Sequence, residues 1–246
     1  MKSAAAVILA AGASSRLGEV GRHYSKPTVP IAGQPLIGRL IGSLRAAGVA
    51  RLVVVGHPSD QRLSTFLRAH HPEIALVTQS ERRGPADALR HALPLLAKEP
   101  AYLACACDSL LVPDDIARVQ RLGQGQPGAA VVGLPEIPHG GRDNVHLDGD
   151  SADNARALDN VETAAPRGAA SGLPPAPLYW LPRTLSAYVD TVTPGRGETD
   201  IATALNSFII NGGTVHAVLL TRRPRITFEE DIENAEAWLR NQEASV

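Results

Sequence analysis

Short apolar runs alternate with amphipathic stretches along the first half of the chain. Residues 4–9 form a continuous apolar run, the pattern of a strand covered on both faces. Residues 35–47 carry Leu36, Ile37, Leu40, Ile41 and Leu44 on one helical stripe, and Gly48 stops it. Residues 52–55 read as the next strand. Ser59 is placed to cap a helix bearing Leu63, Phe66 and Leu67. A third strand is predicted over 74–79, a helix from Pro85 to about residue 97, and a fourth strand over 101–107 ending at Asp108. A helix over 113–122 and a strand over 129–134 complete this half.

The alternation predicts an α/β fold: a Rossmann-like α/β/α sandwich on a mostly parallel sheet. Ligands bind such sheets outside the carboxyl ends of the strands. Leu9, Gln79 and Asp108 all fall at predicted strand ends, so they are expected to converge on one site.

The pattern changes at residue 135. Residues 135–177 are rich in Gly, Pro, Ala and Asp, with a hairpin expected from 145–150 and 155–161. Residues 164–177 read as a loop that could cover a substrate. An apolar run over 178–181, a helix over 200–211, a strand over 214–220 and a helix over 231–241 follow. Without repeats or a clear linker, one domain over 1–246 is expected, in two halves, 1–134 and 135–246. The latter carries the small hairpin and loop region.

Composition narrows the function classes. A formal net charge of −1 gives no basic excess for nucleic acid or an anionic membrane, so cations and N–H groups must hold any anion locally. Aromatics are 4%, too few for base-stacking platforms. Cys105 and Cys107 alternate on one strand face and read as small buried hydrophobes, with no metal or disulfide framework. No membrane span or secretory signal is read, and the expected location is the cytoplasm.

Candidate chemistry begins at Leu9-Ala10-Ala11-Gly12-Ala13-Ser14-Ser15-Arg16-Leu17-Gly18. Gly12 allows a tight turn and close backbone approach, successive N–H groups can cradle phosphate oxygens, and Arg16 adds a planar donor fork. This is neither a Walker A loop nor a dinucleotide fingerprint, since both glycine patterns are missing. Lys26 opens Lys-Pro-Thr-Val-Pro-Ile-Ala-Gly-Gln-Pro-Leu-Ile, whose three prolines predict a stiff extended path.

Together, in this order and just after a first strand, these segments resemble the nucleotidyltransferase superfamily of sugar-1-phosphate nucleotidyltransferases, the NDP-sugar pyrophosphorylases and MobA-like NTP transferases. Further segments extend the resemblance. Gln79 to Leu89 resembles the segment in which glutamine and the backbone of glycine read the base, here Gln79 and Gly84, with Pro85 beside it. Cys107-Asp108-Ser109 resembles the step whose aspartate binds Mg²⁺. Val161-Glu162-Thr163 and Gly197-Glu198-Thr199-Asp200 resemble acceptor-side segments, which implies acceptor roles for Glu162 and Glu198. Residues 225–232 resemble the closing metal-site segment. Two positions depart: Thr163 stands where the sugar enzymes carry lysine, and Thr227 where they carry a second metal-binding aspartate.

The resemblance implies Mg²⁺-dependent transfer of a nucleotidyl group from an NTP to a sugar 1-phosphate, with release of pyrophosphate. Arg16, Lys26 and Asp108 would be catalytic, and Asp108 the metal ligand. Leu9, Ala10, Ala11, Gly12, Ala13, Ser14, Ser15, Gln79, Gly84 and Pro85 would bind the nucleotide, which makes 1–134 the nucleotide-binding half and 135–246 the acceptor-binding half. A homodimer is expected by family analogy, with no nucleic-acid or membrane partner. Thr163 and the short chain keep a cytidylyltransferase acting on phosphocholine or a phosphonate as the main alternative, ahead of a molybdopterin-type guanylyltransferase. Thr227 keeps a non-catalytic nucleotide-binding regulator in view. Asp231 reads as a helix-start residue.

Overall fold

The computed structural model describes residues 4–135, 147–148, 155–158, 176–191, 199–221 and 223–243. In chain order the elements are β1 (Ala5–Leu9), a short α1 (Val20–His23), β2 (Pro30–Ile31), β3 (Gln34–Pro35), α2 (Leu36–Ala46), β4 (Arg51–Gly56), α3 (Gln61–His70), β5 (Ala75–Thr78) and α4 (Pro85–Ala92). Then come β6 (Ala101–Ala106), α5 (Pro113–Gly125), β7 (Ala130–Pro135), β8 (Leu147–Asp148), β9 (Ala155–Leu158), β10 (Leu178–Pro182), α6 (Ser186–Thr191), α7 (Ile201–Ile210), β11 (Val215–Leu220) and α8 (Glu230–Glu243).

Among the described residues, nine strands form one sheet in the order β5-β4-β1-β6-β10-β7-β11-β9-β8. β5, β4, β1 and β6 run parallel, as do β7 and β11. β10 inserts antiparallel between β6 and β7, with Leu178 opposite both Cys105 and Gly133. The expected hairpin pairs Leu147 with Leu158, and β9 also pairs β11.

The alternation of side chains across β1 explains the layering. Ala5 and Val7 enter one core with residues of α4 and α7, while Ala6 and Ile8 enter the other with residues of α2, α3 and α5. Cys105 and Cys107 share the second face as expected, and burial pushes both thiols up to about 12. A third, smaller core joins Leu17, Val29, Ile31 and Leu36 to Ile226 and Ala235. It ties the segment after β1 to the C-terminal helix.

Three local expectations are corrected. Asp60, not Ser59, caps α3: its carboxylate accepts from the Leu63 N–H at 2.9 Å, while Ser59 bonds His57. The helix from Pro85 ends at Ala92 and tightens into a 3₁₀ turn over Leu93–Leu96, where Pro94 removes an N–H. The proline-rich segment after Lys26 is not simply extended. Lys26–Thr28 form a 3₁₀ turn, and β2 and β3 close a tight hairpin through Ala32 and Gly33, both with positive φ.

Candidate active site

The carboxyl ends of β1 and β6 open into a cleft of ≈ 830 Å³. Leu9, Ala11, Gly12, Ala13, Ser14, Ser15 and Arg16 line it, and so do Lys26 and Asp108. Gln79, Gly84 and Pro85 reach it from the β5–α4 side, and Asp200, Arg225 and Thr227 from the second half. Ala10 does not line it. That residue is buried in the sheet layer, and its N–H donates to the Val55 carbonyl at 2.8 Å. The run of cleft-lining residues from Leu9 to Arg16 therefore has a gap at Ala10, because alternation turns it inward.

Gly12 has no left-handed φ, and a Cβ added there would meet nothing within 4 Å. Its lack of a side chain is not needed for the turn; it leaves backbone open to the cleft. Gly84 is different. Its φ of 97° requires glycine, and it caps the start of α4.

Lys26 is anchored before its side chain does anything. Its N–H donates to the Ser14 hydroxyl at 2.6 Å, tying it to the loop after β1. Its Nζ lies 3.2 Å from Asp108 Oδ2, with the two side chains 17% and 12% exposed. Arg225 Nε donates to the same oxygen at 3.0 Å. The closing segment is fixed there by its backbone: the Ile226 N–H donates to the Asp108 carbonyl at 2.7 Å, and Arg225 bridges to Ser109. One carboxylate oxygen thus faces two cations across the cleft floor.

The β5–α4 side of the cleft is held by a buried polar network. Gln79 Nε2 donates to the Gly84 carbonyl at 3.1 Å and to Asp87 Oδ2 at 2.8 Å. Both donors of that amide are committed, so its carbonyl oxygen is the end left to meet a ligand. Arg90 donates to the other Asp87 oxygen at 3.1 Å, and Thr199 accepts from the Asp87 N–H. Arg82 donates to the Ala11 carbonyl at 3.1 Å and lines the cleft.

The chain matches the family described as MobA-like NTP transferase domain over residues 6–207, most of its length. It belongs to that family. The bifunctional protein GlmU of Chromobacterium violaceum is 36% identical over 135 residues, covering 54% of this chain and 28% of that protein. The CMP-5'-(3-aminopropyl)phosphonate synthase of Streptomyces rubellomurinus is 49% identical over 53 residues, 21% of this chain and 8% of that protein. The chain thus spans under a third of the length of these curated relatives. Among solved structures, apo UDP-glucose pyrophosphorylase aligns with a TM-score of 0.81 at 16% identity, covering 98% of this chain and all of that one. This likeness establishes the nucleotide-diphospho-sugar transferase type of fold.

Within this NTP-transferase fold, Glu229 and Asp231 of the closing segment do not line the cleft. Asp231 Oδ2 accepts from the N–H groups of Thr227 and Phe228 at 2.7 and 2.8 Å, the helix-start role expected of it. Glu229 accepts from the Glu19 N–H at 3.0 Å and packs against Gly18. Thr227 itself lines the cleft. Among the described residues no three His, Cys, Asp or Glu side chains gather in one group. Glu162, Glu198, Thr163 and most of the expected covering loop lie outside the described residues. Among those described, no helix is long and apolar enough to cross a membrane.

Arg82 and Arg225 are the site residues that the chain pattern did not single out. Arg82 carried a usable signal, its closeness to Gln79 and Gly84. Arg225 carried only its place at the head of the closing segment; its contact with Asp108 depends on where β11 lies in the sheet.

Proposed function

We propose that this chain transfers a nucleotidyl group from an NTP to the phosphate of a small acceptor, a sugar 1-phosphate in the leading reading. A phosphate oxygen of the acceptor forms a bond to the α-phosphorus, and the bond to the bridging oxygen of pyrophosphate breaks. A phosphate monoester is already anionic at neutral pH, so no general base is needed, and catalysis rests on alignment and charge neutralisation. The observation that carries this reading is the convergence of Lys26 and Asp108, 3.2 Å apart, with the glycine-bearing loop after β1 in one cleft.

The loop backbone at Gly12, Ala13, Ser14 and Ser15 would receive the triphosphate, with Arg16 on the α-phosphate and the departing pyrophosphate. Lys26 would lie between the α-phosphate and the acceptor phosphate. Gln79 and Gly84, beside Pro85, would meet the base, and Glu162 and Glu198 the acceptor. Asp108 suits a Mg²⁺ ion bound mainly through nucleotide phosphates, since Mg²⁺ commonly takes one or two protein carboxylates and keeps its remaining ligands from substrate and water. When bound, such an ion offsets triphosphate charge.

A second reading is favoured by the 49% identity over 53 residues to the CMP-phosphonate synthase: CTP as donor and a phosphonate or phosphocholine as acceptor. One screen separates the readings. Pyrophosphate release is measured for the common NTPs against sugar 1-phosphates, phosphocholine and phosphonates. Release with UTP or TTP and a sugar 1-phosphate supports the first reading, and release confined to CTP and a non-sugar acceptor replaces it. Tight NTP binding with no release from any pair would sink nucleotidyl transfer and favour a regulatory protein.

A further inference from the structure

We propose that Arg225 is a catalytic residue of this site: it binds the acceptor's phosphate, and its ion pair with Asp108 is the resting form of that contact. The inference rests on the nucleotidyl-transfer reading above. Its starting point is the sign of the charge that the closing segment delivers. Asp231 and Glu229 are spent on backbone N–H groups, so the cleft receives a guanidinium and the Thr227 side chain from this segment, and no carboxylate. Asp108 is left between two cations, with no second carboxylate supplied by this segment.

Position assigns the ligand. Asp108 follows β6, which lies between β1 and β10 in the sheet. The loop that would take the triphosphate follows β1, on one side of Asp108. Arg225 arrives from β11, on the other side, with the acceptor-binding half. It therefore stands where the attacking phosphate must approach, across the carboxylate from the nucleotide.

Chemistry agrees with position. The Arg225 side chain is 48% exposed in the cleft, so an incoming anion can reach it. Asp108 engages Nε, and the terminal nitrogens meet no acceptor among the described residues. A guanidinium is a planar fork of five donors, matched to a phosphate in two-point contact. Backbone contacts on either side, at Ser109 and at the Ile226 N–H, keep it rooted while the side chain swings. A dianionic phosphate outcompetes one shared carboxylate oxygen. Once Arg225 turns to it, Asp108 loses one of its two cations and becomes a better cation ligand.

Two measurements on Arg225→Ala and Arg225→Lys test this, after circular dichroism has shown both variants folded. The first is Mn²⁺ binding by electron paramagnetic resonance, with MnCl₂ as the only addition. Removing the guanidinium frees Asp108, so Arg225→Ala is expected to bind Mn²⁺ about threefold to tenfold more tightly than wild type. The second is steady-state turnover with the NTP and acceptor found in the screen. Arg225→Ala is expected to raise the acceptor KM at least about tenfold and to lower kcat, with the NTP KM within about twofold; Arg225→Lys recovers part of the loss. Unchanged Mn²⁺ affinity overturns the resting pair. An unchanged acceptor KM, or a rise confined to the NTP KM, overturns the phosphate contact. If wild type turns over no pair at all, the nucleotidyl-transfer reading fails and the acceptor role falls with it, while the Mn²⁺ result still decides whether Arg225 restrains Asp108.

Discussion

Lys26→Ala is expected to remove turnover and leave the fold. The Lys26–Asp108 pair spans 3.2 Å with little exposure, and at an effective dielectric of about 20 its Coulomb attraction is about 5 kcal/mol before desolvation is subtracted. Deleting one partner of a buried pair ordinarily costs about 3–5 kcal/mol, because the other charge is left uncompensated. Here Asp108 keeps Arg225 at 3.0 Å, so the expected stability loss falls to about 1–2 kcal/mol. The anchor to Ser14 uses the Lys26 backbone N–H and survives the change. Catalysis has no such spare. Loss of one preorganised charge stabiliser is worth about 3–4 kcal/mol, or roughly 10²–10³ in rate. Urea unfolding and a pyrophosphate-release assay on the same preparation check both halves. The Lys26→Ala, Arg225→Ala double variant strands Asp108, and its destabilisation should exceed the sum of the single losses by at least about 1 kcal/mol. Wild-type pyrophosphate release in Lys26→Ala, or additive losses in the double variant, would refute the reasoning.

Three further outcomes are expected. Asp87→Ala removes the acceptor that orients Gln79 and leaves Arg90 partly unpaired, so it should raise the NTP KM about tenfold and cost about 2–4 kcal/mol in urea unfolding; an NTP KM equal to wild type would contradict the orienting role. Gly123→Ala sets a methyl group against the buried Trp180 ring and should destabilise by about 1–3 kcal/mol, with Trp180→Leu in the same chain restoring part of it; thermal unfolding reads both. Burial holds the His216 imidazole below its ordinary value, so the folded state resists its protonation. That contribution is complete above the unfolded value of about 6.5 and is lost as pH falls through the lowered folded value. His216→Gln should therefore flatten the decline in stability on the acid side of pH 6.5, and an unchanged slope would remove His216 from the account.

Local pattern sufficed where side-chain geometry is local. The β1 run, the stripe of α2 and the stop at Gly48 follow from periodicity and from a backbone conformation that glycine alone adopts readily. The α3 cap moved by one residue because Ser59 found His57, a competition that spacing does not show. Strand ends located Leu9, Gln79 and Asp108 correctly, since ligands of such sheets gather at the carboxyl edge. Ala10, between Leu9 and Ala11, does not itself line the cleft, because its N–H is taken by a neighbouring strand.

By itself, then, the sequence determined the alternating fold, the loop after the first strand, Lys26 with its proline frame, and Asp108 at a strand end. Each is written in consecutive residues, where propensity, periodicity and turn chemistry act. The tertiary structure decided the charges that surround Asp108. Arg225 is 117 residues away in sequence and reaches the carboxylate because β10 enters antiparallel beside β6 and β11 pairs β7, which brings the closing segment back over the strand ends. It also decided that Glu229 and Asp231 serve backbone N–H groups and not the cleft. Electrostatic partners are set by distance in space, and the chain order of a sheet with crossovers does not state those distances.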